Sequence, residues 1–164
     1  MPSEIMLIVS NAFAVVLFAL ALYRPNAARK IVGAGFIAAG VINCWFGLRD
    51  PQAYVRGFGP HAVSVYHDFI VSAFAKNPAG LVLPIAAGQL AMGALVLTRD
   101  PWVKLGLVAM IEFLIAITPL GRGSGFPAPL LMAATMAVLC SRKWPPRKKI
   151  SNPDPQVTMK ACGR

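Results

Sequence analysis

The sequence predicts an all-α integral membrane helical bundle of five transmembrane helices, in which one N-terminal helix precedes a four-helix core. Hydrophobic residues make up 57% of the chain and charged residues only 13%, whereas about a quarter of the residues of a soluble domain are charged. The apolar residues form long blocks, and the basic residues gather at the ends of these blocks. Apolar blocks flanked by Lys and Arg are typical of membrane-spanning helices.

Five apolar blocks account for the predicted spans. A helix rises about 1.5 Å per residue, so four of the blocks are long enough to cross the hydrocarbon core of a membrane or nearly so. The fifth is the shortest, and whether it spans fully stays open at this point. The links after the first and third blocks are short, which predicts antiparallel hairpins. The predicted spans, within one transmembrane domain over residues 1–140, are 5–23, 31–48, 80–97, 105–120 and 126–140.

The basic residues predict the orientation of these spans. With the N-terminus outside, twelve of the sixteen Lys and Arg residues lie on the cytoplasmic side and four on the outer side, which agrees with the positive-inside rule. The first block is expected to be a retained helix rather than a signal peptide, because its basic cluster follows it. Nucleic-acid binding is not expected despite a net charge of +10, because the charge does not lie on a folded surface with aromatic residues.

Two segments outside the spans have patterns of their own. In the long outer loop, apolar residues recur at helical spacing from Ala62 to Phe74, which predicts an amphipathic helix at the membrane interface. The basic, Pro-rich tail, residues 141–164, is expected to be disordered and cytoplasmic. Five of its basic residues are expected to bind anionic membrane lipids: Arg142, Lys143, Arg147, Lys148 and Lys149.

Glu112 is the candidate for chemistry inside the membrane. It is the only acidic residue within a predicted span, and an ionised carboxylate there is costly unless it is paired, hydrated or protonated. Gln89 precedes the centre of its hairpin by nearly as many residues as Glu112 follows it. The two side chains are therefore expected at one depth and joined by a hydrogen bond. Two interpretations stay open, a polar contact that fixes helix packing and a proton or ligand site.

The first hairpin repeats this arrangement with two asparagines. Asn11 and Asn43 are equally distant from its centre near Ala27, so they are expected to meet at one depth, closer to the outer face, as a structural pair. The second block also carries small residues four apart, such as Gly35 and Ala39. This spacing permits close helix packing, either within the molecule or between two copies.

The outer loop offers a second candidate site, at His67 and Asp68. Histidine gains and loses its proton near neutral pH, so His67 is a candidate proton acceptor there. The other histidine, His61, is six residues away, a spacing that does not place two ligands on one face of a helix. No metal site is therefore predicted.

From Arg29 to Cys140 the layout resembles that of DoxX-like membrane proteins. The resemblance is carried by RKIVGAGFIAAGVINCWFG, residues 29–47, and by the hairpin GQLAMGALVLTRDPWVKLGLVAMIEFL, residues 88–114. It implies a four-helix core, often with an acid in the second core helix, where this chain has Gln89. It also implies a bacterial plasma membrane and a membrane redox complex, such as one for quinone-linked thiosulfate oxidation. The cofactor that fits this resemblance is a quinone. The partners that fit it are membrane lipids and either another membrane subunit or a second copy of the chain.

Three functional hypotheses stay open. The first is an accessory subunit of a membrane complex, which agrees with the small size of the chain and its lack of catalytic motifs. The resemblance makes a quinone-linked complex one form of this hypothesis. A small transporter or proton pathway would use Glu112 and Gln89. A stand-alone membrane enzyme would use His67 or Asp68 at the outer face, but these residues belong to no recognisable catalytic constellation.

Overall fold

Helices make up every regular element that the computed structural model describes, which covers residues 4–144 except the side chain of Met6. Five helices are long and two are short. In chain order they are α1 (Glu4–Tyr23), α2 (Pro25–Arg49), α3 (Gln52–Phe58), α4 (Ser64–Phe69), α5 (Pro78–Val96), α6 (Trp102–Ile117) and α7 (Ala128–Cys140). Three tighter or wider turns join them, the 3-10 helices Gly59–His61 and Thr118–Ser124 and the π-helix Ile70–Phe74.

Three segments within these residues are long and apolar enough to cross a membrane. They are Pro25–Arg49, Pro78–Val96 and Trp102–Ser124, the last of which joins α6 to its 3-10 extension. Helices α1 and α7 contribute shorter apolar segments, Leu7–Tyr23 and Ala128–Cys140. The prediction of an all-helical chain with segments fit to span a membrane is therefore confirmed, and three of the five predicted spans meet the length and hydropathy of a crossing.

The helix ends follow local sequence rules. Helix α2 begins at Pro25, six residues before the predicted span, because proline fits the first turn of a helix, where its missing N–H is not needed. Helix α5 begins with Pro78 in the same way, and the Asn77 side chain accepts a hydrogen bond from the Gly80 N–H at 3.0 Å. Such an N-cap satisfies one of the free N–H groups at a helix start.

The five long helices form a closed ring. Helix α1 packs against α2 and α7, α2 against α5, α5 against α6, and α6 against α7. The interior of the ring is apolar and includes Leu17, Phe36, Val96, Leu107, Met110 and Met136. Residues 50–77 and 118–127 connect the helices at one end of the ring, the loop end. Residues 97–101 and 141–144 lie at the other, the tail end.

Helices α2 and α5 approach each other closely along a seam of glycines. Gly33, Gly40 and Gly47 recur every seven residues on α2, a spacing that keeps side chains on one face of a helix. A Cβ at Gly40 would lie 2.9 Å from the Ala86 carbonyl oxygen, and one at Gly93 would lie 2.7 Å from that of Gly33. Only glycine permits this approach. Gly35, predicted to allow close packing, has no atom within 4 Å of its Cβ position.

Arg29 closes the tail end of α5. Its Nη1 donates to the carbonyl oxygens of Val96 at 3.0 Å and Thr98 at 2.7 Å, groups that lack partners at a helix C-terminus. Its guanidinium also lies 4.9 Å from the ring centre of the buried Trp144. Arg29 therefore joins α2, the end of α5 and the segment after α7.

The helix predicted over residues 62–74 forms as α4 and the π-helix that follows it. Ile70 and Phe74 are buried, whereas Val65, placed on the same apolar side by the sequence pattern, is 75% exposed. The pattern is therefore right for these two residues of the π-helix and wrong for Val65, which belongs to α4. The disorder predicted for the tail beyond residue 144 lies outside the described residues.

Candidate functional site

A chain of three polar side chains joins α2, α3 and α5 near the loop end. The Asn43 Nδ2 donates to the Gln89 Oε1 at 2.6 Å, and the Tyr54 hydroxyl donates to the Asn43 Oδ1 at 2.7 Å. Gln89 is only 5% exposed, and buried amides need hydrogen-bond partners. The glycine seam makes the contact possible, because Gly40 and Gly47 flank Asn43 on the face that meets α5.

The predicted hydrogen bond between Gln89 and Glu112 is wrong. Gln89 faces α2, where it meets Asn43. On α6 the buried Met110 faces the interior of the ring, and Glu112, two residues further, is rotated by about 200° from it. Glu112 is accordingly exposed on the outside of the bundle. Residue counting gives the depth of a side chain along a hairpin but not the rotation of its helix.

The predicted pair between Asn11 and Asn43 is wrong for the same reason. The Asn11 Nδ2 donates to the Leu7 carbonyl oxygen at 2.8 Å and lies 3.4 Å from that of Gly125. Helix α1 has two neighbours, α2 and α7, and its asparagine faces the turn that leads into α7. Asn11 thus contributes to closing the ring and not to the polar chain at Gln89.

A cavity of about 580 Å³ lies at the loop end, and the chain of Asn43, Tyr54 and Gln89 forms its polar wall. The rest of its lining is mostly apolar and rich in aromatic rings, including Phe58, Tyr66, Phe69, Phe74, Ile85 and Phe113. Small-molecule sites in proteins commonly have volumes of about 300–1,000 Å³ and a few polar groups among apolar ones. This cavity has the size and lining of such a site.

The cavity is open to its surroundings on the flank of the bundle. Leu81 and Ile85, in the first turns of α5, line it and are exposed, and so is Phe69 at the end of α4. These residues lie beside the ring rather than on its axis. The opening is therefore bordered by apolar side chains.

Two tyrosine hydroxyls hold the short helices over the cavity. Tyr54 attaches α3 to Asn43 on α2, and the Tyr66 hydroxyl donates to the Ala116 carbonyl oxygen on α6 at 3.0 Å. Neither tyrosine was identified from the sequence, because both lie outside the predicted spans. The signal that points to them is the clustering of aromatic residues between positions 54 and 74.

The outer-loop candidates lie apart from the cavity lining. His67 is exposed, with its Nδ1 2.8 Å from the Gly59 carbonyl oxygen. Asp68 is also exposed, and its backbone carbonyl accepts a hydrogen bond from Ser72. Within residues 4–144, no three His, Cys, Asp or Glu side chains are placed to hold a metal ion.

Two of the five basic residues predicted to bind lipid are described, and both lie at the tail end. The Arg142 Nη2 donates to the Leu22 carbonyl oxygen at 3.3 Å, and Lys143 is exposed. The other three, Arg147, Lys148 and Lys149, lie outside the described residues. Lipid binding at this end stays a prediction.

Tyr54 gives the site a dependence on alkaline pH. Burial raises the pKa of Tyr54 above its ordinary value of 10.0. Its stabilising effect is thus fully present below pH 10 and is lost as the pH rises through its folded-state pKa. We expect the melting temperature of the wild-type protein to fall above about pH 10, and Tyr54→Phe to remove part of this fall.

The comparison needs melting curves between about pH 8 and about pH 11 for both proteins. Tyr23→Phe is the matched control, because the Tyr23 side chain is 85% exposed. It should leave the wild-type profile unchanged. Parallel profiles for wild type and Tyr54→Phe would contradict the prediction.

The site can hold an apolar ligand and make a hydrogen bond to it. When the Gln89 Oε1 accepts from Asn43, the Gln89 Nε2 remains as the donor that this residue can offer to the cavity.

Comparison of the chain with protein-family models, with curated proteins and with solved structures found no match.

Proposed function

We propose that this chain is a small membrane protein that binds a lipid-soluble quinone in the loop-end cavity. The observation that carries the proposal is an apolar, aromatic cavity with one hydrogen-bonded polar wall, formed by Asn43, Tyr54 and Gln89. A quinone has a flat ring, which aromatic side chains accommodate by stacking. Its carbonyl oxygens accept hydrogen bonds, which the Gln89 Nε2 is placed to donate.

The polar wall suits both redox forms of such a ligand. In the arrangement described, Tyr54 donates to Asn43 and Asn43 donates to Gln89. Rotating both amides by half a turn exchanges the nitrogen and oxygen of each amide, leaves the rest of the side chains in place and reverses the direction of donation, because an amide carries a donor at one position and an acceptor at the other. Gln89 then offers an acceptor to the cavity. The wall can therefore bind the carbonyl of a quinone or the hydroxyl of a quinol.

The position of the cavity supports entry from the membrane. Its opening lies on the flank of the bundle, next to the exposed Leu81 and Ile85 of α5. Helix α5 is one of the segments fit to cross a membrane. A lipid-soluble ligand would thus reach the cavity sideways without leaving the hydrocarbon region.

All five long helices span the membrane in this proposal, with the loop end outside and the tail end in the cytoplasm of a plasma membrane. The twelve-to-four bias of basic residues supports this orientation. Helix α1 has 20 residues, a length of about 30 Å. Helix α4 and the π-helix lie at the outer interface in this arrangement.

Reporter fusions test the orientation. A reporter that is active only in the cytoplasm should be active when it is fused after residue 164. Activity of a reporter that works only after export would contradict the orientation.

The biological role that follows is that of a quinone-binding accessory subunit in a membrane complex. The resemblance to DoxX-like proteins supports this role, because quinone-linked complexes are associated with that family. The alternative of a proton pathway through Glu112 and Gln89 has less support. Gln89 faces α2, whereas Glu112 is exposed on the outside of α6.

The experiment is to purify the protein gently, record its native mass spectrum and extract and quantify its quinone. We expect about one quinone per chain, and saturable binding when the depleted protein is titrated with a short-chain quinone in lipid nanodiscs. A co-purifying second subunit would identify the complex. If only bulk lipid is recovered and added quinone does not saturate, the proposed ligand class is wrong.

A further inference from the structure

Helix α6 presents an unpartnered apolar stripe to the outside of the bundle. Leu105, Val108 and Ile115 are all exposed, and Glu112 lies between them on the same stripe. Their spacings are three, four and three residues, which is the a and d pattern of a heptad repeat. Helices that pair in membranes mostly cross at the small left-handed angle that this pattern supports.

Glu112 indicates that this stripe is not a plain lipid surface. It lies in the middle of α6, a segment fit to cross a membrane. None of the side-chain hydrogen bonds and ion pairs among residues 4–144 involves its carboxyl group. A carboxyl group in hydrocarbon is costly and is almost always turned toward a partner. Residues 4–144 supply no such partner, which points to a second molecule.

We propose that this stripe is the interface with a second copy of the same chain, with Glu112 paired to its counterpart. Two copies inserted in the same orientation place this residue at the same depth. A carboxylic acid is self-complementary, because its O–H donates and its carbonyl oxygen accepts. A single polar residue at an a position is also known to fix the register of paired helices. The proposal rests on membrane insertion of α6 and not on the ligand of the cavity.

The neighbours of Glu112 allow this approach. Ala109 and Ala116 lie one turn before and after it on the edge of the stripe, and Ala116 is exposed. Small residues let two helix backbones come close in a membrane, where packing and interhelical hydrogen bonds drive association. An unrelated helix would need its own polar group at this depth, whereas a second copy carries one there automatically.

Cysteine crosslinking in lipid vesicles tests the interface. Cys44, Cys140 and Cys162 are first replaced by serine, and Ile115→Cys is introduced. Ile42→Cys is the matched control. Its side chain and that of Ile115 are both 54% exposed, but Ile42 lies on α2 next to Asn43, which meets Gln89 across the seam, and not on the α6 stripe. With purified, reconstituted protein, we expect Ile115→Cys to form a disulfide-linked dimer about tenfold faster, because association raises the effective thiol concentration. Equal rates for the two variants would overturn the proposal.

A second pair of variants tests the role of Glu112. Glu112→Gln keeps a self-complementary amide and should leave crosslinking through Ile115→Cys unchanged. Glu112→Leu removes the polar pair and should slow it by about fivefold, the effect expected of one interhelical hydrogen bond. Crosslinking that is indifferent to Glu112→Leu would show that this residue does not hold the copies together. The quinone measurement is independent, so either proposal can fail alone.

Discussion

Gly93→Ala is expected to lower the free energy of unfolding by about 3 kcal/mol, at the upper end of the usual cost of overpacking. A Cβ at this position would lie 2.7 Å from the Gly33 carbonyl oxygen and 2.9 Å from the Ile37 backbone nitrogen. Both atoms belong to the backbone of α2, so relief requires the two helices to separate. Separation would also lengthen the hydrogen bond between Asn43 and Gln89. Thermal and denaturant unfolding in detergent would measure the loss.

Gly88→Ala is the matched control for this prediction. It makes the same substitution in the same helix, at a position where the added Cβ has no atom within 4 Å. Alanine is favoured over glycine within a helix by about 0.5–1 kcal/mol, so this variant should be unchanged or slightly more stable. If both variants unfold alike, the glycine seam does not determine the packing of α2 on α5.

Gln89→Leu is expected to weaken quinone binding by about tenfold or more, because a hydrogen bond made in an apolar cavity contributes roughly 1.4 kcal/mol. The substitution keeps the volume of the side chain close to that of glutamine but removes the group that faces the ligand. Titration with a short-chain quinone, as proposed for the wild-type protein, would measure the change. Gln52→Leu is the control, because Gln52 lies on α3 with its side chain bonded to the Ala75 carbonyl oxygen, outside the cavity lining.

A double variant separates lost binding from lost folding. Gln89→Leu alone leaves the Nδ2 of the half-buried Asn43 without its acceptor, which costs about 1 kcal/mol, the lower end of the penalty for an unpaired polar group. In Asn43→Leu with Gln89→Leu neither amide remains, and the group that loses its acceptor is the Tyr54 hydroxyl, which is only half-buried, so this variant is expected to be more stable than Gln89→Leu alone. The double variant should fold and still bind quinone about tenfold or more weakly than the wild-type protein. Wild-type affinity in either variant would show that Gln89 does not contact the ligand.

Much of the fold was predictable, because the hydropathy of a segment and the prolines that mark helix starts act locally. Each of the five apolar blocks contains a long helix, and Pro25 and Pro78 mark two of the helix starts. The helix α3 was missed because its seven residues carry no clear amphipathic pattern. In the segment from Ser64 to Phe74, Ile70 and Phe74 are buried as the pattern predicts, whereas Val65 is exposed, because a pattern of apolar residues does not specify which of them another element covers.

The site was predictable only in part. Gln89 and Asn43 were both identified as polar residues within spans, yet each was assigned to the wrong partner. Their pairing depends on the rotation of α2 against α5, which the glycines at positions 33, 40 and 47 determine. The sequence contains both this seven-residue spacing and the four-residue spacing of Gly35 and Ala39, and hydropathy does not distinguish which of the two faces α5. Tyr54 and the cavity itself depend on how α3 and α4 fold back, which no local pattern specifies.

The closed ring has a consequence for the order in which the protein is made. Helix α1 is the first of the described helices to leave the ribosome and α7 the last, yet the two are neighbours. Until α7 is made, the nascent bundle is therefore open between α1 and α6, and the faces of both that pack on α7 are uncovered. Leu17 and Met110 belong to one buried cluster with Ala133, Met136 and Leu139 of α7, so this cluster is complete only once α7 is present. A chain interrupted before residue 128 thus lacks the helix that closes the ring, and the surfaces of α1 and α6 that pack on α7 are expected to stay uncovered in it.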